Sequence, residues 1–377
     1  MSSLSSIRPT VAEINLDSLA FNFHSVKEFV GDGLEFMAVV KANAYGHGAI
    51  RCAARLESEG ADWFAVATVE EGVELRKARI TKPILVLGGF WSGQEIALLN
   101  FDLTAVIFRV DQARSIAEAA GRQGLTAKVH VKIDTGMGRI GVRIDDVSAF
   151  AAELSTIKSL EIEGLMTHFA AADDLDSTDF TNHQITAFES AVETFLANGH
   201  RPRYIDMANS PGAIVHPLSR AKMVRIGGLL YGLGGDVLPA GVPQPDLVPV
   251  MSIKSKIAQV KMLKAGETVG YGRTWIAERD TVVATVPIGY HDGLLRALSN
   301  KSHFLINSTR APVIGRVSMD WTTVDVTDIP NASVGDDVTI IGVSGSEVMR
   351  AEDLAAIADT ISYEITCGIN QRVPRQY

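Results

Sequence analysis

Cysteine is scarce in this sequence: 377 residues contain only Cys52 and Cys367. Their spacing fits neither a metal site nor a disulfide framework, which excludes the small stapled scaffolds of secreted proteins. Long apolar runs are also missing. No stretch approaches the ~20 residues a membrane helix needs. Basic charge is in deficit, with 35 Lys and Arg against 44 Asp and Glu and a formal net charge of −9. Such a surface repels nucleic acid and anionic membrane, so neither is expected as a partner. His47, His168 and His183 form no HExxH-type pair, and no metal site is expected. The opening MSSLSSIRPT has no apolar leader segment. Together with the few thiols, this leads us to expect a cytoplasmic protein.

Hydrophobic residues, in contrast, make up 46% of the chain and charged residues 21%, enough for a large core. The length suits two domains. Eight short apolar runs punctuate the first two-thirds: FMAVVKA (36–42), WFAVAT (63–68), PILVLGG (83–89), LTAVIF (103–108), KVHVKID (128–134), IEGLMTHF (162–169), YIDMAN (204–209) and MVRIGG (223–228). Amphipathic stretches such as VEEGVELRKARI and DQARSIAEAAGRQG lie between them. Strand alternating with helix implies parallel βα units, and eight in succession is the count of a (β/α)8 barrel of the TIM type, over an open doubly wound sheet. Around 235–250 the Gly- and Pro-rich GGDVLPAGVPQPDLVP reads as a linker. Beyond it the apolar runs alternate without intervening helices, as in a mostly antiparallel β domain, with one helix expected over AEDLAAIADTISYEI. The expected division is 11–240 for the barrel and 241–377 for the β domain, which the N-terminal strand over 10–17 is expected to join.

Barrel enzymes carry their chemistry at the C-terminal ends of the strands. The first run ends in Lys41, followed by Asn43, Tyr45 and His47. The fifth carries Lys132 and leads to Arg139, the sixth ends at His168, the seventh at Asn209 and Ser210, and the eighth carries Arg225 before Gly227 and Gly228. Basic and hydroxyl groups converging on one mouth suit an anionic, phosphate-bearing ligand. A lone lysine ending a strand ordinarily snorkels to water. In AVVKANAYGHG the small residues after Lys41 leave room for a ring, which favours a Schiff-base lysine with a depressed pKa. Asn209-Ser210-Pro211 reads both as a helix start and as part of a phosphate cradle, since a helix N-terminus attracts anions. One motif competes with this reading. Gly136-Met137-Gly138-Arg139-Ile140-Gly141 matches the dinucleotide fingerprint GxGxxG, which would make the chain a dehydrogenase. It sits in the fifth unit instead of opening a nucleotide domain, and a cationic arginine occupies its turn.

Taken together, AVVKANAYGHG, HVKIDTGMGRIGV, GLMTHFA, ANSPG, VRIGGLLYG, VGYGRTW, IGYHDG, GRVSMDW, TISYEI and RVPRQY resemble the alanine racemase family, in the family's order and from about residue 11 to the C-terminus. The resemblance implies pyridoxal 5'-phosphate held on Lys41, which would also act as base on the D-alanine face, with Tyr271 as base on the L-alanine face. Tyr45, Asn209, Ser210, Gly227, Gly228 and Tyr363 would hold the phosphate. Arg225 would face the ring nitrogen, with His168 near it. Arg139 and the backbone of Met319 would take the substrate carboxylate. Lys132 matches a lysine that is carbamylated in many members and steadies the arginine, while Asp320 and Tyr290 would line the entry. Tyr271 and Met319 would come from the partner subunit of a symmetric homodimer. A serine or broad-specificity racemase is the nearest alternative, and a pyridoxal-phosphate decarboxylase a more distant one. The sequence departs from the family at Asp206, where many members have histidine.

Overall fold

The computed structural model describes residues 8–377. The eight expected units form the barrel. Its strands are β2 (Glu35–Val39), β3 (Trp63–Val66), β4 (Ile84–Val86), β5 (Thr104–Ile107), β6 (Ala127–Asp134), β7 (Leu160–Met166), β8 (Tyr204–Ala208) and β9 (Met223–Ile226), preceded in the chain by β1 (Val11–Ile14). All neighbours among β2–β9 pair in parallel, and β5 against β6 closes the ring through Ala105–Val129, Val106–His130 and Ile107–Val131. Both faces of this sheet are covered. Runs such as Trp63–Val66 and Thr104–Ile107 are therefore buried at every position and show no alternation.

The helices outside the barrel are specified locally. α1 (Leu16–Val30) starts at Asn15, whose Oδ1 accepts from the N–H groups of Asp17 and Ser18 at 2.9 Å. The helix Val69–Lys77 opens with a capping box between Thr68 and Glu71. The fingerprint glycines do not themselves open a helix; the next α-helix, Val147–Leu154, begins six residues after Gly141. They lead into the two-residue strand Val142–Arg143, which pairs beside β6. A dinucleotide phosphate would need a helix N-terminus at that point, so the dehydrogenase reading falls.

The second domain has a sheet in which β1 lies antiparallel to the strand Met251–Lys256, through Val11–Lys254 to Ile14–Met251. The N-terminal strand thus pairs within this second sheet. A three-stranded sheet of Gln259–Leu263, Thr281–Val286 and Thr322–Asp325 packs alongside. Two expectations are corrected. The single helix over 351–365 is two, Ala351–Ala358 and Ser362–Gly368, because Asp359 adopts φ +59° and ends the first. The expected linker has no regular structure, yet it is docked to the barrel. The Asn22 amide donates to Leu230 O at 3.1 Å and Val248 O at 2.8 Å, and its Oδ1 accepts from Val248 N at 2.8 Å.

Candidate active site

A cavity of about 600 Å³ opens at the C-terminal ends of the barrel strands. It is lined by Lys41, Tyr45, Lys132, Arg139, His168, Asn209, Ser210, Arg225, Gly227 and Gly228, residues that sequence reading picked from separate strand ends, and by Tyr363, which the family resemblance implied. No hydrophobic periodicity in the sequence could have shown that Asp173, Asp236 and Cys367 line it as well.

Lys41 stands where the chain leaves β2 and begins a turn of unusual hand. Ala42, Asn43, Ala44 and Tyr45 all have φ between +52° and +54°. Left-handed conformation costs about 1–2 kcal/mol per non-glycine residue, so four in a row need support from around them. Glu71 accepts the Ala42 N–H at 2.7 Å, and Asn43 Oδ1 accepts the Ala49 N–H at 2.8 Å. His47 Nδ1 meets the carbonyls of Ala44 at 2.9 Å and Tyr45 at 3.0 Å, and the His47 ring stacks on Tyr231. The Tyr231 hydroxyl in turn donates to Val39 O at 3.0 Å. Gly46 follows at φ +88°, so close to the Thr366 carbonyl that a Cβ there would overlap it. The turn holds Lys41 at the cavity and swings Tyr45 under the last barrel loop.

That loop is shaped to take an anion. Ser210 Oγ accepts the Gly227 N–H at 2.9 Å, and Asn209 caps the short helix Ser210–Val215 through Gly212 N at 3.0 Å. The Tyr45 hydroxyl reaches within 2.5 Å of where a Cβ on Gly227 would stand, and the Tyr363 ring fills the same place at Gly228. Two phenols, a serine and bare backbone thus surround one small space, a donor set that fits a phosphate. Burial raises the pKa of both tyrosines, so they remain hydroxyl donors.

Cations crowd the opposite wall. Burial, then Arg139 and Arg225, lowers the Lys41 pKa, which favours a free amine able to condense with an aldehyde. The same causes, with Arg225 ahead of Arg139, bring Lys132 down to about 7. Arg225 Nη2 donates to Thr167 O at 3.0 Å and Met207 O at 3.2 Å and lies 3.3 Å from His168 Nδ1. Guanidinium has no acceptor, so His168 Nδ1 must accept and the imidazole is neutral. Burial and then Arg225 push the His168 pKa down to about 2. The Arg225 Nη1 contacts Asp206, so the residue that departs from the family pattern forms a wholly buried ion pair. The lysine, the phosphate cradle and the arginine wall together fit pyridoxal phosphate.

Four expected residues lie elsewhere. Tyr271 is 73% exposed, Met319 51% and Tyr290 43%, all on the second domain and outside this cavity. Asp320 pairs with Arg372 at 2.8 Å. The Tyr290 N–H donates to Ser318 O at 2.9 Å and that of His291 to Met319 O at 3.0 Å, which ties Tyr290, Met319 and Asp320 into one surface.

Residues 14–234 match the family profile described as alanine racemase, N-terminal domain, and residues 250–377 the profile for its C-terminal domain. The alanine racemase of Geobacter sulfurreducens is 42% identical over 375 residues, covering 98% of this chain and 97% of that one. That of Symbiobacterium thermophilum is 43% identical over 99% and 98%. Among solved structures, alanine racemase from Clostridium difficile 630 superposes with a TM-score of 0.92 at 35% identity, over 98% of this chain and 96% of its own. The enzyme of D-cycloserine-producing Streptomyces lavendulae gives 0.91 at 32%, over 99% and 97%.

Proposed function

The chain belongs to the alanine racemase family, and from that premise we propose how its own residues interconvert L- and D-alanine. The observation that carries the reading is Lys41, a half-buried lysine of lowered pKa, facing a phosphate-shaped cradle across one cavity.

In this reading Lys41 would carry pyridoxal phosphate. Tyr45, Asn209, Ser210, Gly227, Gly228 and Tyr363 would hold the phosphate, and Arg225, with His168 behind it, would face the ring nitrogen. When bound, the cofactor supplies an electron-withdrawing ring that spreads the charge left on the α-carbon. Arg139 and the Met319 N–H hold the substrate carboxylate, and Lys132 would steady Arg139 once carbamylated, since only the modified side chain carries a negative charge. Racemisation needs a proton taken from one face and returned on the other. The Lys41 amine serves the D face and the Tyr271 oxygen the L face.

Tyr271 and Met319 stand outside their own chain's cavity, so the reading takes both from a second copy in a symmetric dimer. Tyr290 and Asp320 would then border the entry. We assign residues 11–240 to the cofactor-binding barrel and 241–377, with the strand over 10–17, to the β domain that supplies these groups. No helix among the described residues is long and apolar enough to cross a membrane. We place the enzyme in the cytoplasm, supplying D-alanine for cell-wall synthesis.

The test is incubation with L-alanine in deuterated water. Deuterated D-alanine should form, and Lys41→Ala and Tyr271→Phe should each abolish it. Mixing the two inactive variants under subunit exchange should restore about a quarter of the activity, since half the dimers regain one intact site. No restoration would remove the shared site. Cofactor uptake without alanine turnover would move the substrate to serine or a broader set.

A further inference from the structure

Arg225 is held from two directions. Its Nη2 rests on the carbonyls of Thr167 and Met207, and its Nη1 on the carboxylate of Asp206. Asp206 comes from β8, the neighbour of β9. The register sets it opposite Met223, two residues deeper in the barrel than Arg225. Neither side chain reaches solvent: Asp206 is 0% exposed and Arg225 3%. Apart from the Arg225 Nη1 contact, neither carboxylate oxygen has a partner among the described residues, so Arg225 is what holds the carboxylate there. A buried carboxylate with a single partner is costly unless that partner is a cation.

Other cations depend on that balance. The register sets Lys132 of β6 opposite Met166 of β7 and Met166 opposite Asp206 of β8, so the two residues stand at one level of the barrel two strands apart. Arg225 from β9, Arg139 from the glycine loop and Lys41 after β2 also act on Lys132, and Asp206 alone of these favours its charged form. Arg225, Arg139 and Lys41 also act on His168, as does Lys132. Burial raises the Asp206 pKa, while Arg225 and then Lys132 oppose the rise.

We propose that Asp206 is the counter-ion of the cavity floor: it converts Arg225 from an isolated cation into an ion-paired donor and sets the charge carried by Lys132. This rests on the reading that Arg225 faces the cofactor ring, and extends it. A paired arginine still donates a hydrogen bond to the ring nitrogen but presents much less net positive field there. The electron demand of the cofactor would therefore be set partly by Asp206, a positioning residue that does not touch the reacting atoms.

The experiment follows Lys132 by NMR in protein labelled with ¹³C at lysine Cε, free of cofactor and substrate. Four proteins close the cycle: wild type, Asp206→Asn, Arg225→Gln and the double variant. Two strand spacings amount to about 10 Å, and removing one charge at that distance at an effective dielectric of ~20 shifts a pKa by about one unit. Lys132 in Asp206→Asn should titrate about one unit lower than in wild type. It should titrate higher in Arg225→Gln and fall back in the double variant. Where Asp206→Asn fails to fold, Asp206→His replaces the carboxylate with a neutral acceptor for Arg225, and Lys132 should again titrate about one unit lower than in wild type. Equal Lys132 titration with and without Asp206 in both backgrounds would overturn the proposal. In cofactor-loaded protein, the ¹⁵N shift of the labelled ring nitrogen should move between wild type and Asp206→Asn, and an unmoved shift would overturn the electronic part. Failure of alanine turnover would refute the racemase reading and leave the lysine titration untouched, so the two failures are distinguishable.

Discussion

Replacing Gly228 with alanine tests whether the cradle binds through the phosphate. The backbone at Gly228 is not in the left-handed region, so an alanine is conformationally acceptable there. The obstacle is space: the new Cβ would stand inside the Tyr363 ring, meeting its hydroxyl and two of its carbons. Tyr363 sits in the first turn of the helix Ser362–Gly368, whose start is pinned by Asp236 through Ser362 N at 2.6 Å and Ser362 Oγ at 2.8 Å. The ring must therefore turn away instead of moving with its backbone. The phosphate loses one hydroxyl donor. A hydrogen bond to a charged group contributes about 1.5–3 kcal/mol, or roughly ten- to hundredfold in affinity. Pyridoxal phosphate binding, followed by fluorescence, should weaken by that factor. Pyridoxal, which lacks the phosphate but keeps the aldehyde, should condense with Lys41 as readily as in the unaltered protein. Equal weakening for both molecules would mean that the alanine damaged the site as a whole. No weakening for either would mean that Tyr363 does not hold the phosphate.

Arg225→Glu would put an acid where the ring nitrogen is expected and keep that nitrogen protonated. Transamination to pyruvate should rise, and a product ratio unchanged by mass spectrometry would refute Arg225's place there. Asp206→Leu would leave the buried Arg225 charge unpaired and should cost about 3–5 kcal/mol, read as a lowered unfolding midpoint; an unchanged midpoint would mean water reaches the pair. Burial lowers the pKa of His47 to about 4 and of His130 to about 3. Both are neutral when folded and protonate in the unfolded chain below about 6.5, so stability should fall as pH drops from 6.5 towards 3, by roughly 3 kcal/mol or more from each. Denaturant midpoints at pH 7 and 4.5 check the sign, and a flat profile would contradict it. Gly46→Ala would need φ +88° and would overlap Thr366 O. It should yield little folded protein, and normal expression with an unchanged melting profile would show that this contact gives way.

The sequence carried the architecture through two periodicities. Fully apolar runs spaced by amphipathic stretches can be satisfied only by strands covered on both faces, and counting those runs led to the barrel. Strand ends then identified the cavity residues, because closure brings all C-terminal ends to one rim. Sequence reasoning was weaker where the backbone departs from local preference. Of Ala42-Asn43-Ala44-Tyr45 only the asparagine tolerates left-handed conformation readily, and the turn exists because Asn43 and His47 hold it locally while Glu71 and Tyr231 hold it from other parts of the fold. The break at Asp359 was likewise invisible inside an apolar periodic run.

Charge pairing was the hardest part to read. Asp236 lies in a stretch whose glycines and prolines spell linker, yet it pins Ser362, 126 positions away, at the start of the helix that carries Tyr363. Asp206 was visible as a departure, but its meaning was not. Residue types, spacing and hydrophobic period are local, and by themselves they determined the fold class, the lysine and the rim. Which carboxylate meets which cation depends on distance and dielectric inside a closed barrel. Only the tertiary structure, by bringing β8 beside β9 and excluding water from both side chains, decided that Asp206 and Arg225 are a pair.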